Sequence, residues 1–189
     1  MLRILGRIIT LYKIIEMNKR VEKALNDQIE KEASSSQFYL AMASWAEENG
    51  LEGTANFLYE HSDEERFHML KLIKFVNERG GSARVPGLSL PPNEFNSLKN
   101  LFELLLNHEL KVTESINELV DICLQEKDYT THNFVQWYVS EQLEEEALAR
   151  TILDKLTLIG EDSAGLYMFD RDLQQTAAKA NTAAGSSGA

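Results

Sequence analysis

The chain has 189 residues, 43% of them hydrophobic, enough for one domain with a substantial core and too few for two comfortable ones. Its formal net charge of −11 disfavours a nucleic-acid-binding surface and favours attraction of cations. The single cysteine, Cys123, excludes an intramolecular disulfide; set in an apolar helical run, it reads as a buried thiol of a reducing compartment.

Residues 1–16, "MLRILGRIITLYKIIE", are apolar and basic, but Arg7 interrupts the apolar run and no small-residue cleavage site follows, so no secretory signal is expected. The segment fits a short membrane-surface or targeting helix. The better reading is a non-native extension or upstream start, with Met17 opening the domain proper. No apolar run approaches the ~20 residues that span a bilayer, so no transmembrane helix and no stable membrane association are expected. A cytoplasmic location follows from these expectations.

From Met17 the hydrophobic period is near 3.6 throughout, with no convincing alternating strand. The first helix is expected over Asn18–Glu48, ending at Asn49-Gly50, and the second over Leu51–Arg79, ending at Gly80-Gly81. The third starts at Ser97, a plausible N-cap, and fades by Lys127; the fourth runs from Asp128 to Gly160. A short fifth helix is expected over Gly165–Gln175, and residues 176–189 are small and polar, like a flexible tail. The first and third joints are tight, which implies antiparallel neighbours. Between the second and third helices, "GGSARVPGLSLPPNEFN" holds all three prolines and is long enough to run the length of the ~42 Å helices. The expected fold is all-α: residues 17–175 form a four-helix bundle with one long crossover loop and a short fifth helix.

Each helix carries a mid-length acid on its inward stripe. The first stripe is Leu25, Ile29, Glu32, Ser36, Tyr39 and Ala43; the second is Leu58, Ser62, Glu65, Met69, Leu72 and Val76, with His68 beside Glu65. The third is Phe102, Leu105, Glu109, Val112, Ile116 and Leu119, and the fourth includes Trp137, Tyr138, Glu141, Gln142, Glu145 and Ile152. Buried, uncompensated carboxylates cost several kcal/mol each, comparable with the stability of a whole domain. The stripes contain no Lys or Arg, which leaves protonation or metal. Charge counting favours metal, since two divalent cations would cancel Glu32, Glu65, Glu109 and Glu145 with His68 neutral. Glutamates that can bridge, with one imidazole one turn from Glu65, suit Fe(II) or Mn(II) rather than a thiolate-type zinc site.

The chain resembles the ferritins, specifically the bacterial non-haem ferritins, over roughly residues 17–174. The resemblance rests on Glu32 with Tyr39, on "HSDEERFHM", on Glu109 in "NHELKVTESINEL", and on "NFVQWYVSEQLEEEALA". It implies that Glu32, Glu65 and His68 hold one iron and that Glu65, Glu109 and Glu145 hold a second, with Glu65 bridging and Gln142 beside the second iron. It implies a third iron site at Glu64, Glu141, Glu144 and Glu145, and a role for Tyr39 in hydrogen bonding and electron transfer. Where bacterioferritins carry a second Glu-x-x-His, this chain has Gln142-x-x-Glu145; where they place the haem methionine it has Arg66, so no haem is expected. The implied activity is that of a ferroxidase: a homo-oligomeric shell of twenty-four subunits oxidises Fe(II) with dioxygen or hydrogen peroxide and stores the ferric mineral. Its fifth helix would pack near an inter-subunit axis. His61, His108 and His132 read as surface or structural residues, and Trp137 and Tyr138 as core aromatics. The rivals are another di-iron carboxylate enzyme without storage, which would lack the shell, and a non-catalytic helical scaffold. DNA-protecting mini-ferritins are disfavoured by the acidic balance and by ligands lying within one bundle.

Overall fold

The computed structural model describes residues 17–173 of the chain. The expectations for residues 1–16 and for the tail lie outside these. Four long helices follow in order: α1 (Lys19–Glu48), α2 (Glu52–Glu78), α3 (Leu98–Gln125) and α4 (Tyr129–Ile159). A fifth helical stretch, α5, covers 163–173, so it opens two residues earlier than the sequence pattern suggested.

The helix ends follow local chemistry. The Asn18 side chain accepts from the backbone N–H groups of Arg20 and Val21, Ser97 accepts from that of Asn100, and Asp128 accepts from that of Thr131. Gly50 and Gly160 carry φ of +73° and +63°, the left-handed backbone in which a helix can stop without a Cβ penalty. Lys127 does the same at φ 55° in the α3–α4 turn, a position where the sequence offered no glycine. The start of α2 has no side-chain cap of its own. Asp170 of α5 supplies it, with Oδ2 accepting from Gly53 N at 3.0 Å and Oδ1 from Thr54 N and Oγ1 at 2.7 Å each.

α1 packs chiefly on α2 and α3 on α4, and α1 also meets α3. The connection between the two hairpins runs lengthwise: Ala83, near its start, packs at one end of the bundle and Phe95, near its finish, at the other. There Phe95 sits edge-on to Trp45 with ring centroids 5.6 Å apart. The expected crossover bundle is therefore the observed one. Among the described residues, no helix is long and apolar enough to cross a membrane.

Two apolar clusters fill the interior. One gathers Tyr39, Met42, Leu58, Phe102, Leu105, Ile152 and Phe169; the other gathers Leu25, Ile29, Leu72, Ile116, Val135 and Tyr138. On every helix the inward acid falls between the residues that serve one cluster and those that serve the other. The bundle thus clamps a polar belt between two hydrophobic plugs, whose burial, at roughly 25 cal/mol per Å² of apolar surface, offsets the belt's desolvation.

Candidate metal centre

The belt holds Glu32 from α1, Glu65 and His68 from α2, Glu109 from α3, and Gln142 and Glu145 from α4, all buried. Exposure is 1% for Glu32, 3% for Glu65 and 0% for Glu109, so bulk water cannot solvate these acids. The helical period explains the co-location, because Glu65 and His68 are one turn apart on one face and meet Glu32 across the α1–α2 interface. That interface is close: Ser36 Oγ donates to the Ser62 carbonyl at 2.7 Å and Ser62 Oγ to the Ser36 carbonyl at 2.8 Å.

Glu32, Glu65 and His68 each bring one ligand atom within 4.8 Å of the others. His68 Nδ1 stands 3.8 Å from Glu32 Oε2 and 3.8 Å from Glu65 Oε2. Glu65 Oε2 is buried with no hydrogen-bond donor, a condition that costs of order 1–3 kcal/mol, more for a charged group. Burial, then the charges of Glu32 and Glu109, push the Glu65 carboxyl well above the usual range. Burial lowers the His68 pKa, but Glu32 and then Glu64 and Glu141 outweigh it and the net shift is upward. Gln28 Nε2 donates to Glu32 Oε1 at 2.7 Å.

The α3–α4 side is built differently. Tyr39 OH donates to Glu109 Oε1 at 2.9 Å, and Gln142 Nε2 lies 3.2 Å from Glu109 Oε2. Burial raises the Glu109 pKa to about 7 against the lowering effect of these two donors. Burial, then Glu109 and Glu64, raise Glu145 to about 8. The Tyr39 phenol is pushed well above its usual value by burial and by Glu109, Glu145 and Glu65, so it stays a protonated donor. Among the described residues, Glu65, Glu109 and Glu145 do not form a trio within common ligand reach, and Glu109 joins no other.

Two further groups face outward from the belt and share Glu64: Glu64 with His68 and Glu141, and Glu64 with His61 and Glu145. Glu144, placed with these acids by the sequence, is exposed and joins neither group. His61, read as a surface or interface residue, is instead half-buried; its Nδ1 sits 2.8 Å from the Phe57 carbonyl and its Nε2 3.9 Å from Glu145 Oε2. An Nδ1–H donated to that carbonyl leaves the Nε2 lone pair facing Glu145 and Glu64. His108, which had no visible partner in the sequence, lies 2.7 Å from Ser35 Oγ, and burial lowers its pKa to about 4. Trp137 packs edge-on to His68 at 5.1 Å with the Lys71 ammonium over its ring, while Tyr138 OH donates to the His68 carbonyl at 2.9 Å. Sequence reasoning passed over Gln28, although it lies one turn before Glu32. Thr113, which donates to Glu146 and lies 3.3 Å from Gln142 Nε2, gave no signal at all.

Acids from four helices, one imidazole and an unpartnered buried carboxylate oxygen fit a hard-to-borderline divalent cation. Fold and site together define a helix bundle with a buried carboxylate–histidine centre. Comparisons with known proteins narrow that class. The model of the ferritin-like domain family matches residues 22–159. A bacterial non-haem ferritin from Campylobacter jejuni is 47% identical over 161 residues, covering 85% of this chain and 96% of that protein. A probable bacterial non-haem ferritin-like protein from Haemophilus influenzae is 46% identical over 164 residues, 87% of this chain and 99% of that one. Among solved structures, an open-pore ferritin from the archaeon Archaeoglobus fulgidus superposes with a TM-score of 0.82 at 44% identity, covering 84% of this chain and 96% of the other. The chain belongs to the ferritin family, and the relatives it matches over nearly their whole length are bacterial non-haem ferritins.

Proposed function

We propose that this protein is a ferroxidase and iron store: it takes up Fe(II), oxidises it to Fe(III) at a paired site inside each subunit, and keeps the product as ferric oxyhydroxide in a hollow shell. The observation that carries the reading is the trio of Glu32, Glu65 and His68, with a Glu65 oxygen buried and unpartnered at its centre. The family membership agrees with it, as do the names of the bacterial relatives.

Iron is the substrate here. Glu32, Glu65 and His68 would hold the first ion, and Glu65, with its second oxygen, would extend to a second ion held by Glu109 and Glu145. Gln142 and Tyr39 act through Glu109. Their two hydrogen bonds restrain its oxygens, each of which keeps a further lone pair that would be offered to the second ion. Two Fe(II) supply two electrons, one each. Dioxygen takes both with two protons to give hydrogen peroxide, or peroxide takes them with two protons to give two waters. Glu64, shared by the two outward groups that contain Glu141 and Glu145, would suit a third ion and transfer of the product. The assembly we infer is a homo-oligomer of twenty-four subunits in the cytoplasm.

The test is aerobic addition of Fe(II) to metal-free protein, following ferric absorbance and iron retained per particle, with Glu65→Ala as comparison. Fast oxidation lost in the variant, with far more irons retained than subunits present, supports the reading. Equal slow rates in both proteins overturn the ferroxidase, and fast oxidation without retained iron points to a di-iron enzyme that does not store.

A further inference from the structure

The α1 side of the belt contains a buried polar side chain that joins a candidate ligand to α3. Gln28 is 2% exposed, and its position four residues before Glu32 stacks the two side chains on one helix face. Its Nε2 donates to Glu32 Oε1 at 2.7 Å. Its Oε1 lies 2.8 Å from the hydroxyl of Ser115 on α3, which is also 2.8 Å from the Val112 carbonyl. The Glu32 carboxylate fixes the amide's orientation, and Ser115 adds to it when its one proton goes to the amide oxygen rather than to the Val112 carbonyl. Turned over, it would set its oxygen against a carboxylate oxygen and its NH₂ toward Ser115.

The consequence lies in which Glu32 oxygen remains. Oε1 is engaged by the amide, while Oε2 is the atom 3.8 Å from His68 Nδ1, on the side of the unpartnered Glu65 oxygen. A hydrogen bond from a neutral amide to a carboxylate is charge-assisted, so it holds the acid in one rotamer without neutralising it. We infer that Gln28, oriented by Ser115, is a positioning residue for the first metal ion: it holds Glu32 as a single-oxygen ligand with Oε2 toward the ion. This rests on the metal-centre reading above. Without the amide, Glu32 is free to rotate away or to chelate through both oxygens, and the first ion meets a looser site. Outer-sphere partners of this kind typically set metal affinity by 10–100-fold.

The experiment is titration of the metal-free, assembled protein with Co(II), read by calorimetry and by the visible d–d bands, which report coordination number. The variants are Gln28→Met, which keeps volume and removes the amide, and Ser115→Ala, which removes only the orienting hydroxyl. Thr131→Val, at a buried hydroxyl that bonds Asp128 at the far end of α4, serves as a stability control. The expected result is a roughly 10-fold or greater loss of affinity for the first Co(II) in Gln28→Met, with an altered band. A smaller loss is expected in Ser115→Ala, and wild-type affinity and bands in Thr131→Val even where it melts earlier. Wild-type affinity and bands in Gln28→Met overturn the inference. So do losses that track melting temperature across all three variants, since that pattern belongs to a merely structural residue. Wild-type protein that binds Co(II) no better than Glu65→Ala sinks the metal-centre reading itself, a failure separable from the other two.

Discussion

The two sides of the polar belt solve the same electrostatic problem in opposite ways. On the α1–α2 side, Glu32, Glu65 and His68 converge within ligand reach of one another and leave a buried oxygen without a donor. On the α3–α4 side, Glu109 has donors on both oxygens, from Tyr39 and Gln142, and Glu145 Oε2 lies 3.9 Å from His61 Nε2, with Glu64 within 4.8 Å of both residues. The first side leaves a buried oxygen without a partner; on the second Glu109 has its donors, while burial still holds Glu109 and Glu145 above the usual carboxylate range. On the proposed reading the difference implies an order of filling: the first ion would go to the unsatisfied trio. The second would meet a carboxylate already restrained by two donors and be held more weakly, which would suit a site that must give up its product.

The change with the largest expected effect is Glu65→Ala, which deletes the acid proposed to serve both ions. Since even partners outside the coordination sphere cost 10–100-fold, the initial oxidation rate should fall by at least ~100-fold in stopped-flow absorbance. Glu65→Gln should instead raise the melting temperature of metal-free protein at pH 8, because it keeps the shape and removes a carboxyl that burial holds far above its usual pKa. A lower melting temperature in Glu65→Gln would break the claim that this side is strained without metal.

Next in size is the pH dependence of metal-free stability. Burial raises the Glu109 and Glu145 carboxyls to about 7 and about 8 in the folded protein, above the ordinary value of 4.5. Between these limits the folded state binds more protons than the unfolded one, so stability must fall as pH rises. The contribution is fully present below about 4.5 and is lost as pH passes through the folded values. Urea midpoints measured from pH 5.5 to 8.5 should decline, by of order a few kcal/mol in unfolding free energy, and saturating divalent metal should flatten the slope. A midpoint that rises over this range would contradict the assignment of these two acids as buried and mutually repelling.

A smaller effect separates the two halves directly. Tyr39→Phe removes one of the two donors to Glu109 and touches none of the first trio. It should slow oxidation about 10-fold while leaving the affinity for the first Co(II) within about 3-fold of wild type. Equal damage to both quantities would mean that the halves are not independent. The smallest effect is expected from Asp170→Ala, which removes the cap that α5 lends to α2 and should cost about 1 kcal/mol of stability with an unchanged initial oxidation rate per subunit.

Much of this architecture was legible because helical periodicity is a strong signal over segments of this length. Glu32, Glu65, Glu109 and Glu145 fall on apolar stripes whatever the neighbours do, and their burial in the structure follows from that alone. The lengthwise crossover was legible from the prolines and the length of the loop. Errors of one position were harder to avoid. Met69 was placed on the α2 stripe, but His68 is the side chain that goes fully inside and Met69 is only half-buried, because the inward face of α2 is shared with Glu65 at i+3. Glu144 was grouped with Glu141 and Glu145 by resemblance, and the turn of α4 leaves it outward. Interactions between helices were not legible. Gln28 is defined by Ser115 on α3, His61 by Glu145 on α4, and the cap of α2 by Asp170 more than a hundred residues later, so none has a partner that local spacing could reveal.

The central claim, that the α1–α2 trio is a prebuilt site filled before the α3–α4 side, is tested most directly by crystallography of metal-free protein soaked anaerobically in graded Fe(II), with anomalous scattering at the iron edge. The account predicts that the first density appears between Glu32, Glu65 and His68, and that density toward Glu109 and Glu145 grows only at higher Fe(II). First density beside Glu109 and Glu145, or none within the belt at any concentration, would contradict it.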